Sequence, residues 1–137
     1  MNAELRNNLV EKLRGVEPLP LLSLEEFFTG NDDQGSIGCN LAHHPGVDVF
    51  YETLRRIRAK PNVQDVLIEI TDLQEHDLAV WPFSDTVYIL ADATQEEVDS
   101  WLQKLQPDEA PEGDVDNLVL TTVQLQPGMK VFVCWWD

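Results

Sequence analysis

The sequence has few basic residues and no long apolar run. Its 137 residues include 9 Lys or Arg against 25 Asp or Glu, which gives a formal net charge of −16 at pH 7. At this charge we expect no general affinity for nucleic acid or for an anionic membrane. No apolar stretch approaches the ~20 residues of a membrane helix. Residues 1–14 contain Glu4 and Glu11 and lack the apolar segment of a secretory signal, which predicts a cytoplasmic protein.

Cysteine is also scarce, since the chain has only Cys39 and Cys134. Nothing else in the sequence indicates secretion, so we expect a reduced chain without a disulfide. Cys134 lies in the apolar run 131–136 and is predicted to be a small buried residue. The length and the 43% hydrophobic content suit a single globular domain over residues 1–137. The oligomeric state stays open.

The negative charge is concentrated in the second half of the chain. Residues 61–137 contain 16 acidic residues and only Lys104 and Lys130, whereas residues 1–60 are nearly neutral. One basic cluster lies at a predicted helix end and consists of Arg55, Arg56, Arg58 and Lys60. This distribution suggests an acidic surface that steers a basic partner. A solvated surface that keeps the protein soluble and monomeric is the alternative.

Local patterns predict four helices. Leucines four residues apart indicate a helix over Asn2–Leu13, which Gly15 ends. Two capping boxes, Ser23 with Glu26 and Thr94 with Glu97, open two more helices. The third helix in chain order has one apolar stripe, formed by Val47, Phe50, Tyr51, Leu54 and Ile57.

Four segments are predicted to be strands: Val63–Thr71, Thr86–Ala91, Leu118–Leu125 and Lys130–Trp136. Thr86–Ala91 is apolar on both faces, which favours a central strand. Pro127-Gly128 predicts a turn, so the last two strands are expected to form a hairpin. The element order α-α-α-β-β-α-β-β indicates an α+β fold with helices packed on one face of a four-stranded, mainly antiparallel sheet. A parallel crossover between the second and third strands, which would give a mixed sheet, is the alternative.

The loop Gly35–Pro45 combines a thiol with two imidazoles. His43 or His44 could act as the base for a Cys39 nucleophile, which would make the protein a small enzyme. The same three residues could hold a metal if Asp32, Asp33 or His76 completed the site, as in a metal-binding regulatory domain. The glycine spacing matches neither a P-loop nor a dinucleotide fingerprint. An ordered loop whose glycines serve backbone turns is the third interpretation. We therefore expect no cofactor and assign no catalytic residue.

Carboxylates and one tryptophan in predicted loops form the candidate partner-binding set. Trp81 lies among acidic residues and is either a partner-binding anchor or a plug over the core. The carboxylates of this set are Asp72, Glu75, Asp77, Asp108, Glu109, Glu112 and Asp114.

The N-terminal third resembles the SUKH superfamily of bacterial immunity proteins. The resemblance rests on a leading helix followed by Leu19-Pro20, Leu24-Glu25-Glu26-Phe27-Phe28 and Gly30-Asn31. It implies a toxin-neutralising role. Together with the charge distribution, it leads us to expect a bacterial, non-catalytic interaction protein that binds a basic partner, such as an immunity or inhibitor protein.

Overall fold

In the computed structural model, residues 1–114, 117 and 119–137 are described. Their order is α1 (Ala3–Leu13), α2 (Leu24–Phe28), α3 (Val47–Arg58), β1 (Val63–Glu69), β2 (Thr86–Ala91), α4 (Gln95–Trp101) and β3 (Lys130–Trp135). Three single 3-10 turns add Gln34–Ser36, Gln103–Leu105 and Leu120–Thr122. Among the described residues, no helix combines the length and apolar character that crossing a membrane requires.

The helix starts follow from residues at their N-termini. Both predicted capping boxes are confirmed: Ser23 and Thr94 each accept a backbone N–H three residues on, and Glu26 and Glu97 each bond back to the cap. α3 instead begins after Gly46, whose φ of +111° is a conformation that favours glycine. The apolar stripe of α3 packs on the sheet, with Phe50 and Leu54 completely buried.

The sheet has three antiparallel strands in the order β1-β2-β3. The expectation of a central strand at Thr86–Ala91 is confirmed, because β2 pairs with β1 on one side and β3 on the other. The four-stranded sheet is wrong, because the described part of the third predicted strand does not pair with any of these three strands. The mixed alternative is also wrong, because both strand pairs of the sheet are antiparallel. The helices cover the face that carries Val66, Ile89 and Phe132.

The predicted strand Leu118–Leu125 does not join the sheet. Its first residue, Leu118, lies outside the described residues, and Leu120–Thr122 is a 3-10 turn. This segment packs over the second face of the sheet, where Leu120 contacts a cluster with Tyr88 and Leu90. The amide of Gln64 on β1 fixes the end of the segment, since it donates to Gln124 O at 2.9 Å and accepts from Gln126 N at 2.9 Å. The expected hairpin is therefore wrong for the described residues of this segment. β2 is buried on both faces, and covering its second face outweighs pairing of the segment with β3.

The free edge of β3 is covered by residues 108–113, here called the edge segment. Four backbone hydrogen bonds of 2.7–3.0 Å join the segment to β3, from Asp108 N to Trp135 O at one end to Gly113 N to Val131 O at the other. Sequence patterns predict only an acidic loop here, since Pro107 and Pro111 disfavour a regular strand. Proline, which has no backbone N–H to donate, is tolerated because the edge segment lies at the outer edge. Its outer side has no neighbouring strand and needs no ladder hydrogen bonds.

Gly113→Ala should destabilise the protein by about 1–3 kcal/mol through overpacking. The added methyl would lie 2.4 Å from Val133 Cγ2, at the point where the edge segment meets β3. Urea denaturation measures the free energy of unfolding. In a Val133→Ala background the obstructing methyl is absent, so the same substitution should cost less. Equal costs in the two backgrounds would contradict the packing of the edge segment.

Candidate functional site

The thiol and imidazoles of the loop 35–45 do not form a site around His44. Cys39 and His43 are exposed, whereas His44 is half-buried. His44 Nδ1 accepts the N–H of Gly46 at 2.9 Å, and His44 Nε2 lies 2.7 Å from Ile37 O, to which it can only donate. Both ring nitrogens are therefore used by backbone groups, and neither is left to take a proton from Cys39.

Internal hydrogen bonds also account for the polar residues that precede this loop. The buried Asn31 amide donates to Ser36 Oγ at 3.0 Å, and Asn31 Oδ1 accepts from Asp33 N at 2.9 Å. Asp33 caps the next 3-10 turn and also accepts from Trp81 N at 3.0 Å, while Asp32 pairs with the N-terminal amine. No three metal-ligating side chains come together in the part of the chain that the structure describes. These contacts favour the structural interpretation of the loop.

Trp81 lies in the core and not on the surface. Its side chain is 1% exposed, and its indole Nε1 has no hydrogen-bond partner among the described residues. In this conformation Trp81 cannot contact a partner. The exposed apolar residue of the same loop is instead Leu78, which is 69% exposed and follows Asp77 directly. Sequence patterns missed Leu78 because a single leucine in a polar loop has no periodicity.

The loop 72–80 is fastened to α1 by a buried arginine. Arg6 is 1% exposed and donates to the carbonyl oxygens of Gln74, Asp77 and Val80, the last two at 2.8 and 3.0 Å. The guanidinium binds backbone carbonyl groups and no carboxylate of the loop. The loop carboxylates therefore remain free to lie at the surface. Asp72 and Asp77 are exposed, and Glu75 is half-buried.

Most carboxylates of the edge segment lie beside α4, away from the carboxylates of the loop 72–80. A groove of about 540 Å³ separates α4 and its following turn from residues 106–111. Its acidic lining residues are Asp99, Asp108 and Glu109, and its apolar ones are Leu102, Pro107, Ala110 and Pro111. The structure thus divides the predicted carboxylates between two surfaces: Asp72, Glu75 and Asp77 on the loop tied to α1, and Asp108, Glu109, Glu112 and Asp114 at or next to the edge segment.

The groove is held open by hydrogen bonds within its walls. Gln95 Nε2 donates to Asp99 Oδ1 at 3.0 Å and to Ala110 O at 2.7 Å, which ties α4 to the edge segment. Asp108 accepts the backbone N–H of Asp137. Glu112 Oε1 lies 4.0 Å from Lys130 Nζ. Among the described residues, no cation forms an ion pair with Asp99, Asp108 or Glu109. Negative charge is therefore concentrated in a preformed concave site, which sequence patterns could not reveal because Asp99 lies on α4.

Cys134 is buried on β3, in the main hydrophobic core. Burial, with a smaller contribution from the charge of Asp99, raises the pKa of the Cys134 thiol far above its ordinary range. The thiol stays protonated and inert at neutral pH. The prediction that Cys134 is a small buried residue is confirmed.

A half-buried carboxyl group lies on the second face of the sheet. Glu69 Oε2 accepts the hydroxyl of Tyr88 at 3.0 Å. Burial raises the pKa of Glu69 above its ordinary value of 4.5; the hydrogen bond from Tyr88 opposes this shift, and the charge of Asp85 adds to it. Burial and the charge of Glu69 likewise raise the pKa of Tyr88.

Comparison with known proteins shows a match over nearly the whole chain. The model of the uncharacterized protein YfbO family matches residues 4–134. The uncharacterized protein YfbO of Escherichia coli strain K12 is 40% identical over 121 residues, which are 88% of this chain and 84% of that protein. No solved structure matches. The family match extends from α1 to β3. These matches do not test the resemblance of the N-terminal third to the SUKH superfamily, which stays a prediction.

His44→Ala should lower the free energy of unfolding by about 1–3 kcal/mol, because it removes the partners of two backbone groups. The matched control is His43→Ala, which changes the same residue type at the exposed neighbouring position and should stay within about 0.5 kcal/mol of the natural chain. Urea denaturation of both variants tests this. Similar costs for the two substitutions would contradict the structural role of His44.

Glu69→Gln should reveal a pH-dependent cost of the buried charge. The pKa of Glu69 is higher in the folded protein than its ordinary value of 4.5, so ionised Glu69 lowers the free energy of unfolding. This cost is absent below the pKa of the unfolded chain and grows as pH rises through the pKa of the folded protein. The free energy of unfolding of the variant should therefore increase relative to the natural chain as pH rises above 4.5. The exposed Glu17→Gln serves as the control and should show a flatter difference. A difference that shrinks with rising pH would have the wrong sign.

Proposed function

We propose that this chain, which belongs to the YfbO family, is a non-catalytic interaction protein. It binds a basic segment of a protein partner, and the binding site is the groove between α4 and the edge segment. The observation that carries the proposal is the composition of the groove: its lining contains Asp99, Asp108 and Glu109 and no Lys or Arg. Neutralising a toxin or nuclease is one form that such binding could take.

The walls of the groove suit a lysine or arginine side chain. Such a side chain has an aliphatic stem that packs on apolar surface and a charged head that needs a carboxylate. Leu102, Pro107 and Ala110 supply apolar surface, and Asp99 and Glu109 supply charge. Because Gln95 already joins both walls, little ordering is needed on binding, which reduces the entropic cost.

The acidic loop 72–78 supports the proposal as a second charged surface. It presents Asp72 and Asp77 together with the exposed Leu78, and Arg6 holds its backbone in place. The field of a chain with net charge −16 accelerates the approach of a basic partner, and salt screens this effect. An enzyme that uses Cys39 with His44 receives no support, because the two nitrogens of His44 are occupied.

A hexalysine peptide is a suitable probe of the groove. Titration followed by NMR should shift the backbone amides of Gln103, Gln106 and Ala110, with a dissociation constant that increases as salt is added. Asp99→Asn with Glu109→Gln should weaken binding between about twofold and thirtyfold, since each exposed ion pair contributes about 0.2–1 kcal/mol.

The matched control is Glu4→Gln with Glu17→Gln, which removes the same charge from exposed positions outside the groove. This pair should leave the affinity nearly unchanged. If the control weakens hexalysine binding as much as the groove variant does, the peptide is held by the general field. Shifts confined to residues away from the groove would also overturn the proposal.

A further inference from the structure

A small pocket on the other side of α4 has the opposite charge. It encloses about 250 Å³ between the end of α3 and the turn that follows α4. Its three charged lining residues are all cations, Arg56, Lys60 and Lys104, and its lining contains no carboxylate. Only 9 of the 137 residues are Lys or Arg, so three of them at one cavity of a strongly acidic protein are a marked local concentration.

The acidic residues near this pocket leave much of its positive charge unpaired. Arg56 uses only Nε in an ion pair, with Glu52 at 3.2 Å, and Glu52 is shared with Arg55. Lys104 has no ion pair among the described residues. Its ammonium group therefore remains available to a ligand.

Lys60 is positioned by an aromatic ring. Its Nζ lies 5.3 Å from the centre of the Trp101 ring, a cation–π contact, and no described carboxylate pairs with this ammonium group. This contact joins the end of α3 to α4 and fixes the direction of one cation. The predicted basic cluster is therefore divided: Arg58 forms a bidentate pair with Glu25 outside the pocket, at 2.7 Å for both bonds, whereas Arg56 and Lys60 face the pocket.

Helix ends explain part of this arrangement but not all of it. Cations near the C-terminus of α3 compensate the partial negative charge of the helix dipole, which is about half an elementary charge. Lys104 lies in the same way just after the C-terminus of α4. The three positive charges still exceed the compensation of both helix ends, which is about one elementary charge in total. Thr53 adds a hydroxyl group to the lining, and this group can donate to an anion oxygen. The Ser100 hydroxyl already donates to Glu97 O at 2.7 Å.

We propose that this pocket binds a phosphate group, through the fork of Arg56 and the ammonium groups of Lys60 and Lys104. Arginine matches the geometry of phosphate oxygens, and lysine adds point charge. The phosphate could belong to a small molecule or to a phosphorylated side chain. This site is separate from the acidic groove, although Gln103 lies between the two and contributes to both.

Pyrophosphate and a phosphoserine tripeptide are the probes that distinguish these two sources. Each is added to the isotope-labelled protein up to about 10 mM, a range that detects dissociation constants in the millimolar range. Binding at the pocket should shift the Trp101 indole N–H and the Ser100 amide in a saturable way. Because the net charge of −16 repels anions in general, a saturable shift confined to these groups indicates a specific site.

Lys104→Gln should weaken binding of the active probe about tenfold or more, since it removes a charge-assisted hydrogen bond. Lys130→Gln is the matched control, because it removes the only other cation of residues 61–137 and lies outside the pocket; it should leave binding unchanged. Thermal unfolding of both variants confirms that they are folded.

Binding of either probe at the pocket supports the proposal and identifies the source of the phosphate. The proposal is overturned if neither probe shifts these resonances, or if Lys104→Gln and Lys130→Gln weaken binding equally. Citrate is a third titrant: if it saturates the pocket while both phosphate probes fail, the ligand class is wrong. These outcomes are independent of the hexalysine experiment, since they concern a site of opposite charge.

Discussion

The structure depends on β2 being buried on both faces. Ile89 faces the helices, while Tyr88 and Leu90 face the opposite side, so both faces of a three-stranded sheet must be covered. The helices cover one face, and the segment around Leu120 covers the other. Apolar surface left in water costs about 25 cal/mol per Å², which makes an uncovered second face expensive. Chain that could have formed a fourth strand is used as this cover.

The same constraint produces the acidic groove. Once the chain around Leu120 covers the second face, residues 108–113 remain to satisfy the free hydrogen-bonding groups of β3. This brings Asp108 and Glu109 opposite Asp99 on α4, with Gln95 joining the two walls. A preformed concave site with three carboxylates suits a basic ligand, whereas the loop around His44 has its polar groups bonded internally.

The fold pairs and groups charged side chains in ways that the charge distribution along the sequence does not show. The nearly neutral first half contributes Arg58, which pairs with Glu25, and Arg6, which is buried against carbonyl groups. Arg56 and Lys60, at the end of α3, meet Lys104 from the acidic half in one pocket. The two proposed sites therefore lie on opposite sides of α4, and the turn after α4 contributes to both. A basic segment and a phosphate group could bind to the protein at the same time.

Four features could be predicted from residue patterns: the two capped helices, the apolar stripe of α3, the central position of β2 and the burial of Cys134. These features depend on residues a few positions apart or on continuous apolar surface, so a linear pattern contains them. Long-range packing decided whether Leu120 forms a strand or covers the sheet, whether Trp81 is exposed, and which groups bond to the ring nitrogens of His44. It also decided which charges meet across α4. In each case distant segments compete for the same face, edge or hydrogen-bonding group, and the outcome depends on surface area and geometry that residue spacing does not specify.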